Sequence, residues 1–505
     1  MSYVVVLFPE PREVYIDDEG QGSNVAASGR PRLLFVNAGK HTFRLTGADV
    51  LPAEQTLDVP EQPILDPFPR VPEVLTRAMR LIAVGLALVA GLTVAGCAVP
   101  ANPRLAAYGA AGYRYANVRT DAGEEELFVI LAFSGGGTRA AAFSYGVLDG
   151  LQAIRYQPAT GAERSLLDDV DVISSVSGGS FTAAHYALFG ADGFKDFEKN
   201  FLYRNIQAEL VARAVAPWNA ARLLRPDVSR IDLAAELYDE VVFDHATFAS
   251  LLQPPSHRRP YLLLNATDMT LGTRFEFTQD QFDLLCSDLS AVPVARAVAA
   301  SSAFPVLLSP LTLHNYAGGP CDDFHAPRWL TNGLASVAQP RRVVLAENLV
   351  SYRTRVKDRP FVHLLDGGLS DNIGLRGPYV ALSGQDSAWS VFTKINQGRV
   401  RRVLVITANA RTGRDPDWGK RESPPGVVDV LGLVTTGPMG NYSFETVQLI
   451  AEHFTRLRLD LEDYRACERL AKAQCAAFSM PFDPPADVAF HAVELRSTTC
   501  ATTSP

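Results

Sequence analysis

Residues 128–139 read FVILAFSGGGTR, an apolar run that stops abruptly at three glycines. Two further stretches have the same design, DVISSVSGGS at 171–180 and FVHLLDGGLSDN at 361–372. An apolar, β-branched run ending at glycine is typical of a buried parallel strand that ends at the catalytic edge of a sheet. Alternating strands and helices through this region predict an α/β fold of three layers, α/β/α, with a mostly parallel central sheet.

The second stretch places a serine on a sharp strand-to-helix turn. Ser177 lies in Ser-Val-Ser-Gly-Gly, directly after an apolar run. Such a turn holds a serine Oγ clear of the backbone, and a neighbouring base must take its proton before it can attack. Gly179 is expected to let the following helix pack close to the strand. The usual elbow has glycine two positions before the nucleophile, where this chain has Ser175.

The first stretch supplies backbone donors. Gly135, Gly136 and Gly137 follow a predicted strand and precede a predicted helix, so their N–H groups form a cradle for an anion. In an acyl hydrolase this cradle would hold the oxyanion of the tetrahedral intermediate, where one donor is worth about 3–4 kcal/mol of barrier.

The third stretch supplies a carboxylate, because Asp366 ends an apolar run before Gly367 and Gly368, which allow a tight turn. An aspartate that merely caps its own turn is the simpler alternative for this motif alone.

Together and in this order, the three motifs resemble the patatin-like phospholipase family. The resemblance implies that Ser177 is the nucleophile, that Asp366 is its base without a histidine, and that Arg139 is the basic residue of the glycine loop. It also implies phospholipid or lysophospholipid esters as substrates, and no cofactor. The family's last loop glycine is Ala140 in this chain.

Other sites are less consistent with the sequence. The glycine loop also fits a dinucleotide pattern, but the next strand ends in serines instead of the acidic residue that binds ribose. His185 is eight residues after Ser177, about 12 Å along a helix, and His363 points to the face of its strand opposite Asp366. There is no metal-binding motif. A net charge of −8 without a dense basic stretch gives no indication of nucleic acid as a partner.

An export signal is predicted at 79–97. Arg80 precedes sixteen uncharged, mostly apolar residues, which end in Val-Ala-Gly directly before Cys97. This resembles the signal and lipobox of a bacterial lipoprotein, in which Cys97 is lipidated. The alternative is a single membrane anchor, which needs about 20 apolar residues. Residues 1–70 read as a small β-rich segment of unknown function, so translation starts either at Met1 or at Met79, which we favour.

The remaining organisation follows from these assignments. We expect a tether at 98–126, the hydrolase domain at 127–453 and a C-terminal extension at 454–505. An exported domain can keep disulfides, and Cys286 and Cys321 are expected to form one because both lie among turn residues. A protein partner is not indicated.

The sequence therefore predicts a serine lipid acyl hydrolase, anchored in a bacterial cell envelope and facing the periplasm, as an outer-membrane lipoprotein. A thioesterase or small-ester esterase of the same mechanism is the enzymatic alternative. A non-catalytic, membrane-anchored scaffold on the same fold is the alternative from another class.

Overall fold

The fold is known from a computed structural model of the 505-residue chain. The structure describes residues 2–6, 11–25, 33–37, 39–46, 54–59, 70–71, 102–118, 126–158, 162–225, 228–252, 260–305, 307–319, 321, 323–336, 339–411, 420, 422, 426–470 and 488–497. The predicted signal at 79–97, with Cys97, lies outside these residues. The chain divides into two compact units, Met1–Cys97 and Ala98–Pro505.

The first unit is built from β-strands, as its alternating sequence predicts. Its strands are β1 Ser2–Val6, β2 Glu13–Ile16, β3 Glu19–Ser23, β4 Leu33–Val36, β5 Gly39–Leu45, β6 Glu54–Val59 and β7 Arg70–Val71. They form a sheet of order β4-β1-β7 and a second of order β3-β2-β5-β6. Along β2 every second residue is buried, and Val14 and Ile16 join Phe43, Leu45 and Val59 in a small core.

The second unit contains one eight-stranded sheet. Its strands are β8 Leu127–Phe133, β11 Val170–Val176, β12 Tyr261–Asp268, β13 Thr273–Glu276, β14 Leu311–His314, β15 Phe361–Asp366, β16 Arg402–Asn409 and β17 Ala489–Arg496. Two short strands, β9 Arg155–Tyr156 and β10 Arg164–Ser165, pair only with each other in the described chain. The order across the sheet is β14-β15-β12-β11-β8-β16-β17, with β13 paired to β12.

Helices alternate with these strands. They are α1 Tyr115–Val118, α2 Gly137–Ala153, α3 Gly178–Phe189, α4 Phe194–Phe197, α5 Ile206–Val215, α6 Pro217–Arg222, α7 Arg230–Tyr238, α8 Gln279–Leu284, α9 Val294–Ser301, α10 Arg328–Ala335, α11 Pro340–Thr354, α12 Gly368–Asp371, α13 Arg376–Ala381, α14 Val391–Asn396 and α15 Val427–Leu470. The chain also has short 3-10 or π turns at Leu166–Asp169, Ala191–Gly193, Glu198–Leu202, Asp239–Phe243 and Phe248–Leu252.

The centre of the sheet is parallel, and its burial explains the apolar sequence of its strands. From β12 through β11, β8 and β16 to β17, each neighbouring pair is parallel. Every residue of β11 and β12 is buried. The one acidic residue inside β11, Asp171, lies at a register shift and accepts a hydrogen bond from the Val129 N–H at 2.7 Å. A buried carboxylate is thereby paired instead of being left unsatisfied.

One strand runs opposite to the sequence prediction. The segment of Phe361–Asp366 is antiparallel to both of its neighbours, β12 and β14, and is not the parallel strand we expected. Its burial alternates, with His363 exposed and Asp366 buried. This period-two pattern is typical of an antiparallel strand with one solvated face.

Two predicted boundaries are wrong. Residues 102–118 are not a tether, because Tyr113 and Asn102 are fully buried and Arg114 pairs with Asp283 at 2.6 Å. The hydrolase domain does not end at 453, because β17 pairs with β16 along its whole length. Phe454 and Phe490 from the predicted extension also belong to the core. Cys286 and Cys321 form the expected disulfide, with Cα atoms 5.9 Å apart.

Candidate active site

Ser177 occupies a strained turn between β11 and α3. Its φ of 50° and ψ of −120° are unusual for a residue with a side chain. Such backbone strain costs about 1–3 kcal/mol and persists only where the surroundings enforce it. The glycine expected to allow close packing does so, since a Cβ on Gly179 would lie 2.8 Å from the Ser134 carbonyl oxygen. The turn therefore has the geometry of a nucleophile elbow.

Ser177 and Asp366 form a hydrogen-bonded pair. The Ser177 hydroxyl donates to Asp366 Oδ2 at 3.0 Å, and the Gly368 N–H donates to Asp366 Oδ1 at 2.8 Å. Asp366 is only 2% exposed. Burial raises the pKa of Asp366 to about 6, although both hydrogen bonds oppose the shift. The carboxylate is thus largely ionised at neutral pH and is a better proton acceptor than an ordinary aspartate.

The register of the sheet explains how the antiparallel strand β15 places Asp366 beside Ser177. Val176, the last residue of β11, pairs with Asn265, and the next residue of β12, Ala266, pairs with Asp366. β15 therefore ends beside the point where β11 ends, although the two strands run in opposite directions. The turn after Asp366 is tight because a Cβ on Gly367 would collide with the Asn265 carbonyl and one on Gly368 would lie 2.8 Å from Asn372 Oδ1.

Ser301, which the sequence analysis did not single out, connects the two halves of the pair. Its hydroxyl accepts a hydrogen bond from the Ser177 N–H at 2.9 Å and donates to the Asn265 carbonyl at 2.7 Å. Its carbonyl accepts a hydrogen bond from the Gly367 N–H at 3.1 Å, in the turn after Asp366. A single residue at the end of α9 thus bonds to the nucleophile turn and to the base turn. Its sequence, a serine within an alanine-rich helix, gives no sign of this role.

The glycine loop differs in part from the predicted donor set. The Gly135 N–H donates to the Asn372 carbonyl at 2.9 Å, so Gly135 is wrong as an oxyanion donor in this conformation. Gly137 is the first residue of α2 and Gly136 its N-cap, and the first N–H groups of a helix have no acceptor within it. Both glycines are exposed in the lining of a large cavity and have positive φ angles, 140° for Gly136 and 63° for Gly137.

Arg139 bonds to the segment after β16 and not to Ser177 or Asp366. Its Nε donates to the Ala410 carbonyl at 3.1 Å, and it lines the same cavity. The sequence analysis did not single out Gly178, which follows Ser177 and begins α3, so that its N–H has no acceptor within the helix. A side chain there would collide with the Gly137 carbonyl, so the elbow and the glycine loop approach as backbone against backbone.

Neither histidine near the motifs bonds to the pair. His185 packs against Phe189 and Phe197, with ring centroids 4.8 Å apart in each case, and burial lowers its pKa to about 4. His363 bonds to the Thr312 hydroxyl at 3.0 Å on the exposed face of β15. In the described residues no cluster of three or more His, Cys, Asp or Glu side chains could hold a metal ion.

Ser177 and Asp366 line a large cavity of about 1590 Å³. Its lining is mainly apolar and includes Phe181, Phe201, Leu233, Tyr238 and Leu308. Pockets that bind small ligands commonly measure about 300–1,000 Å³, so this cavity has room for a long, flexible apolar group.

Within the described ranges, no helix combines the length and hydropathy needed to cross a membrane.

Residues 131–379 match the family model described as patatin-like phospholipase. The match covers just under half of the chain, and the α/β fold class expected from the sequence is confirmed. Comparison with curated protein sequences gave no significant match.

Among solved structures, human GIVD cytosolic phospholipase A2 is similar, with 13% identity over 78% of this chain and 62% of that one and a TM-score of 0.30. A second structure of that enzyme, in complex with methyl gamma-linolenyl fluorophosphonate, has 14% identity over 78% of this chain and 58% of that one, also with a TM-score of 0.30. The chain spans about three fifths of the length of these structures.

Proposed function

We propose that the protein is a serine lipid acyl hydrolase that cleaves phospholipid or lysophospholipid esters. The match of residues 131–379 to the patatin-like phospholipase family model supports this proposal. The observation that carries it is the hydrogen bond of 3.0 Å from Ser177 Oγ to the buried Asp366 carboxylate, in the lining of a mainly apolar cavity.

The proposed reaction has two halves. Asp366 Oδ2 takes the proton of Ser177 as Oγ attacks the ester carbonyl carbon, and the carbonyl oxygen becomes an oxyanion within reach of the N–H groups of Gly136, Gly137 and Gly178. When the tetrahedral intermediate collapses, the carbon–oxygen bond to the alcohol breaks and Asp366 returns the proton to the leaving alcohol. Water then attacks the acyl carbon while Asp366 takes its proton. The bond from the acyl carbon to Ser177 Oγ breaks, Asp366 returns the proton to Oγ, and the fatty acid leaves.

The surroundings of the two residues support Asp366 as the base and Ser177 as the nucleophile. A base is most effective when its pKa lies near the working pH, and burial moves the pKa of Asp366 to about 6. A glycine would adopt the Ser177 φ of 50° at lower cost, so the strain is retained together with the serine hydroxyl. Retained strain of this kind favours an enzyme over a non-catalytic scaffold on the same fold.

A thioesterase or small-ester esterase would use the same residues. The cavity favours a lipid substrate, because a small ester would leave most of its apolar lining in contact with water. We test this with defined substrates: a diacyl phospholipid, its lysophospholipid, an acyl thioester and a soluble short-chain ester, each with chelator present. Faster release of fatty acid from the phospholipids supports the proposal, whereas preference for the thioester supports the alternative. No hydrolysis of any substrate would leave the scaffold as the better account.

We also propose that Cys97 is lipidated and that the protein is held in a bacterial cell envelope, facing the periplasm. Arg80, the apolar run and Val-Ala-Gly before the cysteine support this. Lipidation with several acyl chains gives firm anchoring, whereas one chain binds only marginally. Cys97→Ala should abolish incorporation of labelled fatty acid and leave a larger, unprocessed species. Peptides from residues 1–70 on the same mature molecule as Ser177 would contradict the lipoprotein model and favour a membrane anchor.

A further inference from the structure

Six large apolar side chains that line the cavity are also exposed. Five of them form what we call the mouth patch, Val211, Val215, Leu307, Leu433 and Phe444, and the sixth, Val493, lies on the edge strand β17. Val215 is 71% exposed, and each of the others in the mouth patch is exposed by about half or more. The mouth patch comes from α5, from the segment before β14 and from α15, so separate parts of the chain contribute apolar groups to one opening. Soluble proteins rarely expose contiguous apolar surface unless it meets an apolar partner.

The helix at this opening has one face toward the cavity. Gln207, Leu210, Val211, Ala214 and Val215 line it, with the three- and four-residue spacing of a single helical face. Three residues after Val215, at the second position of α6, Trp218 is 71% exposed. Leu224, just beyond α6, is 61% exposed. Exposed tryptophan next to aliphatic side chains is typical of segments that lie in the interface of a lipid layer.

The charged side chains that line the cavity are predominantly cationic. Arg139, Arg230, Arg411 and Arg496 line it. Among the described lining residues, the only acidic ones are the buried Asp366 and Glu494, and Glu494 pairs with Arg496 at 2.7 Å. This local excess of positive charge contrasts with the net charge of −8 for the whole chain. Apolar side chains beside arginines match a surface with acyl chains beneath anionic phosphates.

We propose that the mouth patch, together with Trp218 and Leu224, docks on an anionic phospholipid layer. The inference rests on the proposed lipid hydrolase and adds how the substrate reaches Ser177. When a lipid layer lies against the mouth patch, an acyl chain can move from the layer into the cavity and contact apolar side chains along the whole path. A protein partner on the same surface would cover the opening, and this favours lipid as the occupant.

The docking test reads the fluorescence of Trp218 in the full-length protein with Cys97→Ser, which carries no lipid. The vesicles contain phosphatidylglycerol or phosphatidylcholine with brominated acyl chains, which quench tryptophans that enter the apolar layer. We expect strong quenching by phosphatidylglycerol vesicles and loss of most of it in Trp218→Phe, a variant that stays apolar. Equal quenching with and without Trp218 would overturn the docking model, and equal quenching by both lipids would overturn its electrostatic part.

The activity test separates docking from catalysis. In Trp218→Ser/Leu224→Ser we expect about a tenfold loss of activity on phosphatidylglycerol vesicles, because burial of both apolar side chains is lost. Activity on a soluble short-chain ester should be unchanged. Val344→Ser is the matched control, since Val344 is 54% exposed on α11 and does not line the cavity. Equal vesicle activity in all three proteins would contradict docking. No activity of the wild type on the soluble ester would contradict the hydrolase itself, while the quenching would still report docking.

Discussion

Two regions at the cavity reverse the usual placement of polar and apolar groups. In the first, which we call the floor, Ser177 and Asp366 line the cavity, and Ser301, which does not, accepts a hydrogen bond from the Ser177 N–H. All three are buried, and their polar groups bond to one another or to neighbouring backbone. At the mouth patch, large apolar side chains are exposed instead. Buried polar groups are costly unless paired, and exposed apolar groups are costly unless covered. This contrast agrees with the proposed chemistry at the floor and with the proposed contact between the mouth patch and lipid.

The largest effect is expected from removing either member of the floor pair. Ser177→Ala and Asp366→Asn should each lower kcat on a soluble ester by roughly 10³-fold or more, because nucleophile and base act as one unit. For the same reason the double variant should be little worse than either single variant. Substantial activity in a correctly folded single variant would show that the floor does not hold the reactive groups.

A smaller effect is expected at Ser301, which bonds to both halves of the pair. Ser301→Ala leaves the buried Ser177 N–H without its acceptor, and an unsatisfied buried group costs about 1–3 kcal/mol. We expect kcat to fall about 10- to 100-fold while KM changes little, because Ser301 does not line the cavity. Ser180→Ala is the control, since the Ser180 hydroxyl bonds to those of Ser301 and Ser175 but not to Ser177. An equal loss of kcat in both variants would argue against a specific positioning role.

The pH dependence sharpens the electrostatic side of the comparison. The base must be ionised, and burial raises the pKa of Asp366 to about 6. The value of kcat/KM for a soluble ester should therefore fall about tenfold per pH unit below 6 and level off above it. His185 cannot produce this limb because burial lowers its pKa to about 4. An acid limb near 4 would contradict the raised pKa of Asp366.

Stability should change in the opposite direction to activity. The pKa of Asp366 is higher in the folded protein than its ordinary value of 3.8, so its ionised form opposes folding above pH 6 and this cost disappears as the pH falls. Asp366→Asn should therefore raise the free energy of unfolding by about 1–3 kcal/mol at pH 8. This gain in the free energy of unfolding should shrink below pH 6. Denaturant titrations of both proteins at pH 8 and at a pH below 6 would measure it. A destabilised variant at pH 8 would show that hydrogen bonds to the carboxylate outweigh the cost of burying its charge.

The sequence predicted the parts of the floor that combine a strand end with a reactive or small residue. Ser177, Asp366, Gly179 and the glycines after Asp366 all lie in such motifs. It could not predict Ser301 or Asn372, because their roles depend on hydrogen bonds between segments far apart in the chain. The direction of β15 was missed because an apolar run does not specify which neighbours it pairs with.

Regions with weak periodicity were predicted least well. Residues 102–118 read as polar and irregular, yet Tyr113 and Arg114 fix them to the domain through packing and ion pairs. The edge strand Ala489–Arg496 is mostly exposed, and Phe490 is the residue that binds it firmly to the core. Such segments owe their place to tertiary contacts that local sequence does not encode.

Trapping the nucleophile tests the central claim most directly. The protein is treated with a fluorophosphonate, which forms a covalent adduct with activated serines, and the modified peptide is identified by mass spectrometry. We predict one adduct, on Ser177, which forms at least 100-fold more slowly in Asp366→Asn, since the hydroxyl then lacks its base, and at an unchanged rate in His363→Ala. An adduct on another serine, or unchanged labelling of Ser177 without the Asp366 carboxylate, would contradict the Ser177–Asp366 dyad.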